Sequence, residues 1–352
     1  MLFLADFPDE SRRHEGMSQR MIAIDSLCEQ EHRTYLFVSY RLYWRMETRR
    51  ISHNATQYRC NMFKHFFLIS RLLRQADILY FHSVINVLPL LPFLCFIRKQ
   101  SQVVLDAHGV VPEELLHTGK TMKGKLYQLA ERSIFGRVNK VITVSDAMAV
   151  HFSRKYPRWD KSYLKYPILP SHISVADLSN IRELGDEQTH VLYSGNLQAW
   201  QNIDLMIRLI KNNRSAGIQY TIMTGQPVEM TARLAAEGIR VGDGIAVLTV
   251  SPNELQRYYR KAHYGFILRD DMLINRVACP TKLVEYLYYG IIPIVKSSKI
   301  GDFKEMGYEY VSCENLSDGL PARKSHINAE LVSRYMAETT GLDFKKLIGR
   351  ER

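Results

Sequence analysis

Two short apolar runs, with a polar loop and a helix between them, constrain the fold of this chain more than any other feature. Tyr264–Leu268 and Ile291–Val295 have the length and the apolar content of buried strands. Pro280 suits the first position of the helix that separates them, and Gly290 ends that helix. A strand, a crossover helix and a second strand in this order predict two parallel neighbours in one sheet.

The helix of this unit is amphipathic, and its polar side is the first candidate for a binding site. At 100° per residue, one side carries the apolar Leu283, Val284 and Leu287, and the other carries Thr281, Lys282, Glu285 and Tyr289. The polar side is either the solvent face of an ordinary helix or part of a site. The free N–H groups at the start of such a helix favour a phosphate, and ligands bind where parallel strands end.

The same alternation of strands and helices extends along most of the 352 residues. Further strands are predicted at residues 2–5, 34–39, 78–82, 102–106, 140–144, 191–194, 219–224 and 245–250, and helices at 17–29, 61–74, 84–97, 123–133, 147–155, 203–212, 229–237, 253–262 and 328–347. This pattern predicts the α/β class, with parallel sheets covered on both faces. Because the length exceeds that of a single core, we expect two doubly wound, Rossmann-like domains facing across a cleft. Their predicted bounds are 1–165 and 187–330, with a linker over 166–186 and a C-terminal helix over 331–352.

The net charge of +11 is concentrated in the first half of the chain. Residues 1–165 contain 25 Lys and Arg against 15 Asp and Glu, whereas residues 166–352 contain 22 against 21. A one-sided basic surface favours an anionic partner, which can be nucleic acid, acidic lipid headgroups or a phosphorylated acceptor, although a basic solvent face has the same composition.

Cysteine usage and hydropathy favour a cytoplasmic location. The five cysteines form no CxxC pair, which argues against a zinc site or a disulfide framework and indicates a reducing compartment. The opening segment turns polar after five residues, too early for a secretory signal. The longest apolar stretch, Val84–Ile97, contains Pro89 and Pro92 and is shorter than the roughly 20 residues of a membrane span. We expect it to form a buried or interfacial helix.

Four loops follow predicted strands and are candidates for the chemistry. They contain Gly16, the pair Asp106 and His108, Ser145, and the pair Gly195 and Asn196. Ser145 is also a plausible N-cap, which alone would explain it. The first loop lacks GxGxxG, and the chain has no GxSxG elbow, HExxH helix, P-loop or metal-ligand cluster. Neither a dinucleotide cofactor nor a bound metal is therefore expected.

Four segments in this order resemble glycosyltransferase family 4, whose members are nucleotide-sugar-dependent enzymes with the GT-B fold. They are LDAHGVVPEE, VITVSDAMAVHF, VLYSGNLQAWQNID and the most specific, PTKLVEYLYYGIIPIV. The resemblance covers residues 2 to about 300 and implies transfer with retention of the anomeric configuration.

The resemblance implies a donor site in the second domain. Glu285 matches the second Glu of the family's E-x7-E motif, which binds the donor ribose, and Val250 falls where the nucleobase rests. Thr281, Lys282 and Leu283 lie where the helix N-terminus meets the diphosphate.

Further matches extend this implied site into both domains. His108 matches the histidine near the transferred sugar, and Gly16 the glycine of the first phosphate-facing loop. Gly195 and Asn196 are predicted to contact the donor. Asp106 and Ser145 are predicted to lie on the acceptor side.

Three departures from the family pattern affect this site. Val277 replaces the first Glu of E-x7-E, so we expect Asn275 or backbone amides to bind the sugar. Asn196 and Gln201 stand where the family often has Arg and Lys. With two diphosphate cations missing, Arg269 together with Lys282 is the predicted replacement. The alternative is that Arg269 pairs with one of the two aspartates that follow it.

These features favour a retaining glycosyltransferase with a lipid-linked glycan acceptor, as in bacterial O-antigen or capsule synthesis. No metal is required in this hypothesis, and the basic half is expected to sit on the anionic inner face of the plasma membrane. A nucleotide-sugar epimerase, a transferase for small acceptors and a non-catalytic nucleotide-sugar-binding partner are the alternatives. Nucleic-acid binding is disfavoured, because the basic half lacks an aromatic-interleaved stripe or a recognition helix.

Overall fold

The computed structural model describes residues 1–12, 16–167, 169–170, 173, 188–214, 217–251, 254–340 and 343. The chain divides into two compact units, residues 1–168 and residues 169–341. Each unit is built on one sheet with helices around it. No helix in the described ranges combines the length and the apolar character needed to cross a bilayer.

The first unit contains an eight-stranded sheet. Its strands are β1 (Leu2–Leu4), β2 (Arg33–Ser39), β3 (Glu47–Ser52), β4 (Ala55–Asn61), β5 (Ile78–His82), β6 (Gln102–Ala107), β7 (Lys140–Thr143) and β8 (Ser162–Lys165). Its helices are α1 (Gly16–Leu27), α2 (Phe66–Gln75), α3 (Val111–His117), α4 (Thr121–Phe135) and α5 (Asp146–Lys155). The strand order is β3-β4-β2-β1-β5-β6-β7-β8, and only the β3–β4 pair is antiparallel.

Two features of this unit differ from the sequence prediction. The hairpin β3–β4 was not predicted, because the sequence of β3, ETRRIS, is charged and largely exposed and so lacks an apolar alternation. The helix predicted over 84–97 consists of two 3-10 helices, Val84–Asn86 and Leu88–Phe96. Pro89 and Pro92 remove backbone donors that an α-helix needs. Leu90, Phe93 and Leu94 of this segment are buried.

The second unit contains a six-stranded, wholly parallel sheet. Its strands are β9 (Thr189–Ser194), β10 (Ile218–Met223), β11 (Ile245–Leu248), β12 (Tyr264–Ile267), β13 (Ile292–Val295) and β14 (Val311–Ser312). Its helices are α6 (Ile203–Asn212), α7 (Pro227–Ala236), α8 (Leu255–Lys261), α9 (Leu273–Arg276), α10 (Thr281–Tyr288) and α11 (His326–Thr340). The strand order is β11-β10-β9-β12-β13-β14, which is the order of a doubly wound Rossmann sheet.

Helix α10 is held between the sheet and α11. Leu283, Val284 and Leu287 are fully buried, as the helical wheel predicts. Tyr289 is fully buried too, which corrects its assignment to the polar side. The predicted C-terminal helix corresponds to α11, which packs against α10. Residues 341, 342 and 344–352 of that prediction lie outside the described residues.

Candidate functional site

The strand order places a switch point in the second unit, where the chain leaves β9 in one direction and β12 in the other. Ligands bind outside the carboxyl ends of strands at such a point. The loops after these two strands are joined by Asn202, whose Nδ2 donates to Leu268 O at 2.7 Å and to Asp270 Oδ2 at 3.1 Å. The same edge receives the N-terminus of α10. The loop after β9, the loop after β12 and the start of α10 therefore form one surface.

Lys282, in the first turn of α10, lies beside the end of β9. Its Nζ donates to Oε1 of the buried Gln201 at 3.1 Å and lies 4.2 Å from the centroid of the Tyr193 ring. A Cβ added to Gly195 would be 2.9 Å from Lys282 Nζ and 3.1 Å from Tyr193 Oη. Gly195 therefore leaves the space that Lys282 uses. Gln201 therefore holds a lysine that comes from another element.

Arg269 follows β12 and is the second cation of this surface. Its Nη1 donates to Asn275 Oδ1 at 3.4 Å, and Asn275 Nδ2 donates to the Asp270 carbonyl at 2.9 Å. Asn275 is buried, and both ends of its amide are engaged. It therefore positions Arg269 rather than offering its side chain to a sugar, which corrects the sequence prediction.

The two aspartates after Arg269 pair with other cations. Asp270 pairs with Lys296, and Asp271 lies 2.6 Å from Arg276 Nε and 3.4 Å from Lys299 Nζ. The alternative that Arg269 is neutralised by these carboxylates is therefore wrong. Within the described part of the chain, no carboxylate lies within 4 Å of the Arg269 guanidinium or the Lys282 ammonium.

Glu285 lies one turn after Lys282 on α10 and is held by a buried tyrosine. The Tyr259 hydroxyl, from α8, donates to Glu285 Oε2 at 3.1 Å and lies 3.0 Å from Ser194 Oγ at the end of β9. The Ser194 N–H donates to the Tyr286 hydroxyl at 3.1 Å. These contacts fix α10 and its Glu285 against the end of β9.

Burial and neighbouring charges shift the pKa values of Lys282 and Glu285. Burial, followed by the charge of Arg269, lowers the pKa of Lys282 to about 7, although Glu285 opposes the shift. Burial raises the pKa of Glu285 to about 7, against the Tyr259 hydrogen bond and Lys282. Burial also lowers the pKa of Arg269. Two cations close together, neither within 4 Å of a described carboxylate, favour an anion at this edge.

The remaining predicted donor residues lie at different depths. Thr281 is partly buried at the start of α10, Asn196 is exposed after β9, and Val250 is partly buried two residues after β11. Leu283 is a core residue, because its side chain is fully buried and its N–H donates to Pro280 O at 3.0 Å. Its prediction as a donor contact is therefore corrected.

In the first unit, Asp106 at the end of β6 is the centre of a buried ion pair. The Arg20 guanidinium of α1 donates to both Asp106 oxygens, with Nε at 2.9 and 2.8 Å, and both side chains have no exposed surface. The Tyr80 hydroxyl also donates to Asp106. Burial acts to raise the pKa of Asp106, but Arg20 and the neighbouring His108 and His82 hold it well below its ordinary value. Asp106 therefore stabilises the fold through this ion pair, and its predicted acceptor-side role stays a prediction.

His108 lies beside this ion pair, together with His82, which no sequence motif singles out. Its Nδ1 is 3.7 Å from Asp106 Oδ2, and its ring centroid is 4.6 Å from that of His82. Burial lowers the pKa of His108 to about 4, so its imidazole is neutral at pH 7. Ligand atoms of His82, Asp106 and His108 lie within 4.8 Å of one another. The Arg20 cation on the same carboxylate opposes a metal ion there.

Two further predicted residues lie at helix starts in this unit. Gly16 is exposed and is the first residue of α1, directly after residues 13–15, which are outside the described range. Ser145 is the N-cap of α5, where its Oγ accepts from Met148 N at 3.0 Å, so the capping interpretation is confirmed. Ser145 is buried, and its predicted acceptor-side role stays a prediction.

The partners of the predicted site residues were not predictable from the sequence. In the second unit they are Tyr193, Asn202, Tyr259 and Tyr286. In the first unit, Arg20 and His82 lie beside Asp106 and His108. Each is a polar group on an apolar or helical pattern, and each contacts a residue 26 or more positions away. What marks these residues is that a polar side chain is buried. That burial is visible only in the packed structure and not in the sequence.

Solved structures similar to this chain define the class of fold. A sucrose-phosphate synthase from Thermosynechococcus elongatus has a TM-score of 0.59 at 12% identity, over 99% of this chain and 91% of that chain. Anabaena HepE, in complex with UDP and glucose, has a TM-score of 0.58 at 11% identity, over 99% and 97%. A trehalose-phosphate synthase (UDP-forming) from Burkholderia vietnamiensis has a TM-score of 0.55 at 12% identity, over 99% and 93%.

These similarities confirm the GT-B fold predicted from the sequence. No protein-family model matches the chain, and no curated protein matches it. Membership of family 4 therefore stays a prediction, as does the cleft between the domains.

Proposed function

We propose that this chain is a retaining glycosyltransferase that takes its sugar from a nucleoside diphosphate donor bound in the second unit. The observation that carries the proposal is the pair of partly buried cations, Lys282 and Arg269, which have no carboxylate partner in the described residues and lie at the switch point of a doubly wound sheet. A diphosphate would be the anionic partner of these two cations. The first N–H groups of α10 point to the same edge and add to its attraction for phosphate.

The donor ribose would be held by Glu285. Its carboxylate is oriented by Tyr259, and it lies one helical turn from Lys282, which suits a ligand that continues from a diphosphate to a sugar hydroxyl. Val250 would line the base pocket, with Gly195, Asn196 and Thr281 near the diphosphate. Three similar proteins were solved with UDP, a UDP-sugar or ADP, which makes these nucleotides the first to test.

The proposed reaction needs stabilisation of a leaving group more than a nucleophile from the protein. As the bond between the anomeric carbon and the diphosphate oxygen breaks, the acceptor oxygen bonds to the same face of that carbon. The acceptor proton passes to the departing phosphate oxygen. Lys282, Arg269 and the α10 N–H groups would stabilise the charge on the diphosphate. We expect the reaction to need no metal, so that chelation by EDTA leaves its rate unchanged.

The proposed acceptor is a lipid-linked glycan of a bacterial surface polysaccharide, such as O-antigen or capsule. Support comes from the excess of Lys and Arg in residues 1–165, which suits a unit that works at the anionic inner face of the plasma membrane. His108, neutral and beside the Asp106 ion pair, is the proposed contact for the transferred sugar.

Product analysis tests this function. The protein is incubated with UDP-, ADP- and GDP-sugars and a lipid-linked diphosphate acceptor in vesicles, and the anomeric configuration of the product is read by NMR. Arg269→Ala is expected to slow transfer about 10²-fold or more, as for loss of a group that stabilises an oxyanion. Arg257→Ala, a change at an exposed arginine of the same unit, is the matched control.

Three results would contradict the proposal in different ways. Transfer with inversion would remove the retaining mechanism, and conversion of the donor sugar without transfer would favour an epimerase. Donor binding without turnover on any acceptor would favour a non-catalytic binding partner.

A further inference from the structure

Helix α4 of the first unit carries two apolar stripes, of which only one faces the protein. Tyr127, Ala130 and Ile134 are buried. Met122, Leu126 and Leu129, at positions i, i+4 and i+7, form a second stripe, and Met122 is 82% exposed. Side chains at this spacing lie on one helix face. An exposed apolar stripe on a well-packed helix indicates a surface with a partner.

A second set of exposed apolar side chains lies at the start of α2. Phe63 is exposed, and Phe67 is 86% exposed. The neighbouring Phe66 packs against Phe93 and Phe96, with ring centroids 5.0 and 5.7 Å apart. Because α4 also contacts the 3-10 segment that contains those two rings, α2 and α4 lie on the same part of the unit.

The loop between β2 and β3 adds further exposed apolar side chains to this unit. Its exposed large side chains are Tyr40, Leu42, Trp44 and Met46. Asn61 Nδ2 donates to the Leu42 carbonyl at 3.1 Å, which ties the loop to the segment that leads into α2. Strand β2, which leads into this loop, contacts the same 3-10 segment that α2 and α4 contact. Residues 40–46, 61–75 and 119–130 are called the apolar-basic face below.

The charge of this face has one sign. Its three segments contain eight Lys and Arg residues and no Asp or Glu: Arg41, Arg45, Lys64, Arg71, Arg74, Lys120, Lys123 and Lys125. All eight are exposed, and three of them lie at or near the start of α4. A second copy of the chain would meet this face with eight further positive charges, which disfavours a symmetric dimer here.

We propose that the apolar-basic face docks the first unit on the surface of an anionic lipid bilayer. Lys and Arg would contact the headgroups, Trp44 and Tyr40 would occupy the interfacial region, and the Met122 stripe and Phe67 would enter the acyl boundary. A bilayer surface accounts for both the positive charge and the exposed apolar area of this face. A nucleic acid or a soluble acidic protein accounts for the charge but less well for the apolar area. This inference rests on the membrane-linked acceptor of the proposed function and is independent of the donor site.

Vesicle flotation of the full chain tests the docking surface. Vesicles of phosphatidylcholine alone are compared with vesicles that also contain phosphatidylglycerol. We expect binding to the anionic vesicles at least about tenfold above the neutral ones, because each basic residue near the surface contributes to the attraction. The triple variant Met122→Ser, Leu126→Ser, Leu129→Ser should lower this binding about tenfold or more. The triple variant Lys120→Gln, Lys123→Gln, Lys125→Gln should remove most of the preference for anionic vesicles.

Matched controls separate docking from folding and from the donor site. Val228→Ser with Ile327→Ser changes exposed apolar residues of the second unit and should leave flotation unchanged. Every variant is checked by circular dichroism and by titration with UDP. Wild-type chain that does not float with anionic vesicles, or an α4 variant that floats as the wild type does, would overturn the proposal. If the wild type self-associates without binding vesicles, and the triple variant of Met122, Leu126 and Leu129 does not self-associate, the face mediates contacts between copies. That result would also overturn the proposal. If UDP binding is intact but flotation fails, the docking proposal is overturned and the proposed donor site is unaffected.

Discussion

The ammonium group of Lys282 occupies the space beside Gly195 that a larger residue would fill. A Cβ at position 195 would lie 2.9 Å from Lys282 Nζ, and the φ of Gly195 is 151°. The glycine at the end of β9 and the lysine at the start of α10 are therefore one arrangement, although 87 positions separate them. Through this contact a cation reaches the switch point from the helix that also carries Glu285.

Substitution of Gly195 tests this arrangement. Gly195→Ala should displace Lys282 and weaken UDP binding about tenfold or more, since a charge-assisted hydrogen bond contributes about 1.5–3 kcal/mol. Calorimetric titration measures the change. Gly217→Ala, at a glycine with no atom within 4 Å of an added Cβ, is the control and should bind UDP normally. Equal UDP affinities of Gly195→Ala and Gly217→Ala would mean that Gly195 is not part of the site.

The pKa of Lys282 predicts that diphosphate binding takes up a proton. With a pKa of about 7, Lys282 is mostly neutral at pH 8, and a bound diphosphate would favour its charged form. Titration of UDP at pH 8 in buffers of different ionisation enthalpy should therefore show uptake approaching about one proton per UDP. Lys282→Gln should abolish the uptake, and Lys261→Gln, at an exposed lysine, should not. Uptake that survives Lys282→Gln would place the titrating group elsewhere.

A second buried lysine predicts how stability depends on pH. Lys324 Nζ donates to the Tyr289 carbonyl at 2.8 Å and to the Tyr259 carbonyl at 3.1 Å, and burial lowers its pKa to about 7. The unfolded chain binds this proton up to a pH of about 10.4. Between those values the unfolded state holds more protons, so stability rises with pH, by at most about 1.4 kcal/mol per pH unit.

Lys324→Met should remove this contribution. The rise in Tm between pH 7 and pH 9 should be smaller in Lys324→Met than in the wild type, because a neutral side chain carries no linkage. Lys299→Met, at an exposed lysine, should keep the wild-type difference. An unchanged rise in Lys324→Met would mean that Lys324 is charged in the folded protein.

The buried pair of Arg20 and Asp106 should be strongly coupled in stability. Arg20→Met leaves a buried carboxylate without its partner and should cost about 3–5 kcal/mol, whereas Arg20→Met with Asp106→Leu should cost much less. Urea unfolding of the single and double variants gives the coupling. Lys211→Met, at a half-exposed pair with Glu237, should cost below about 1 kcal/mol. Additive costs for Arg20 and Asp106 would contradict a buried ion pair.

The elements with a regular apolar pattern were predictable from the sequence. β5, α6 and the unit β12–α10–β13 lie where alternation placed them, because local periodicity and tertiary burial agree there. The hairpin β3–β4 has a charged edge strand, so local pattern gave no signal for it. Tyr289 lies on the polar side by helical angle, yet it is buried because Tyr259 of α8 packs against it, with ring centroids 5.5 Å apart.

The candidate site was predictable only in part, for a similar reason. The position of α10 after a parallel strand indicated that Lys282 and Glu285 share one face. The partners of those residues, Gln201 and Tyr259, come from other elements, and only the strand order brings them together. Asp106 is the opposite case. Its position after a strand predicted an acceptor-side role, whereas in the structure its carboxylate is paired with Arg20.

The donor site is tested most directly by titrating UDP, ADP and GDP into the wild type and into Glu285→Ala. We expect the wild type to bind at least one of these nucleotides at one site per chain. Glu285→Ala should weaken this binding about tenfold or more, because it removes a carboxylate hydrogen-bond acceptor. Glu237→Ala, at a half-exposed glutamate of the same unit, should bind as the wild type does. Glu285→Ala with wild-type affinity, or a wild type that binds none of the three, would contradict the assignment of this site.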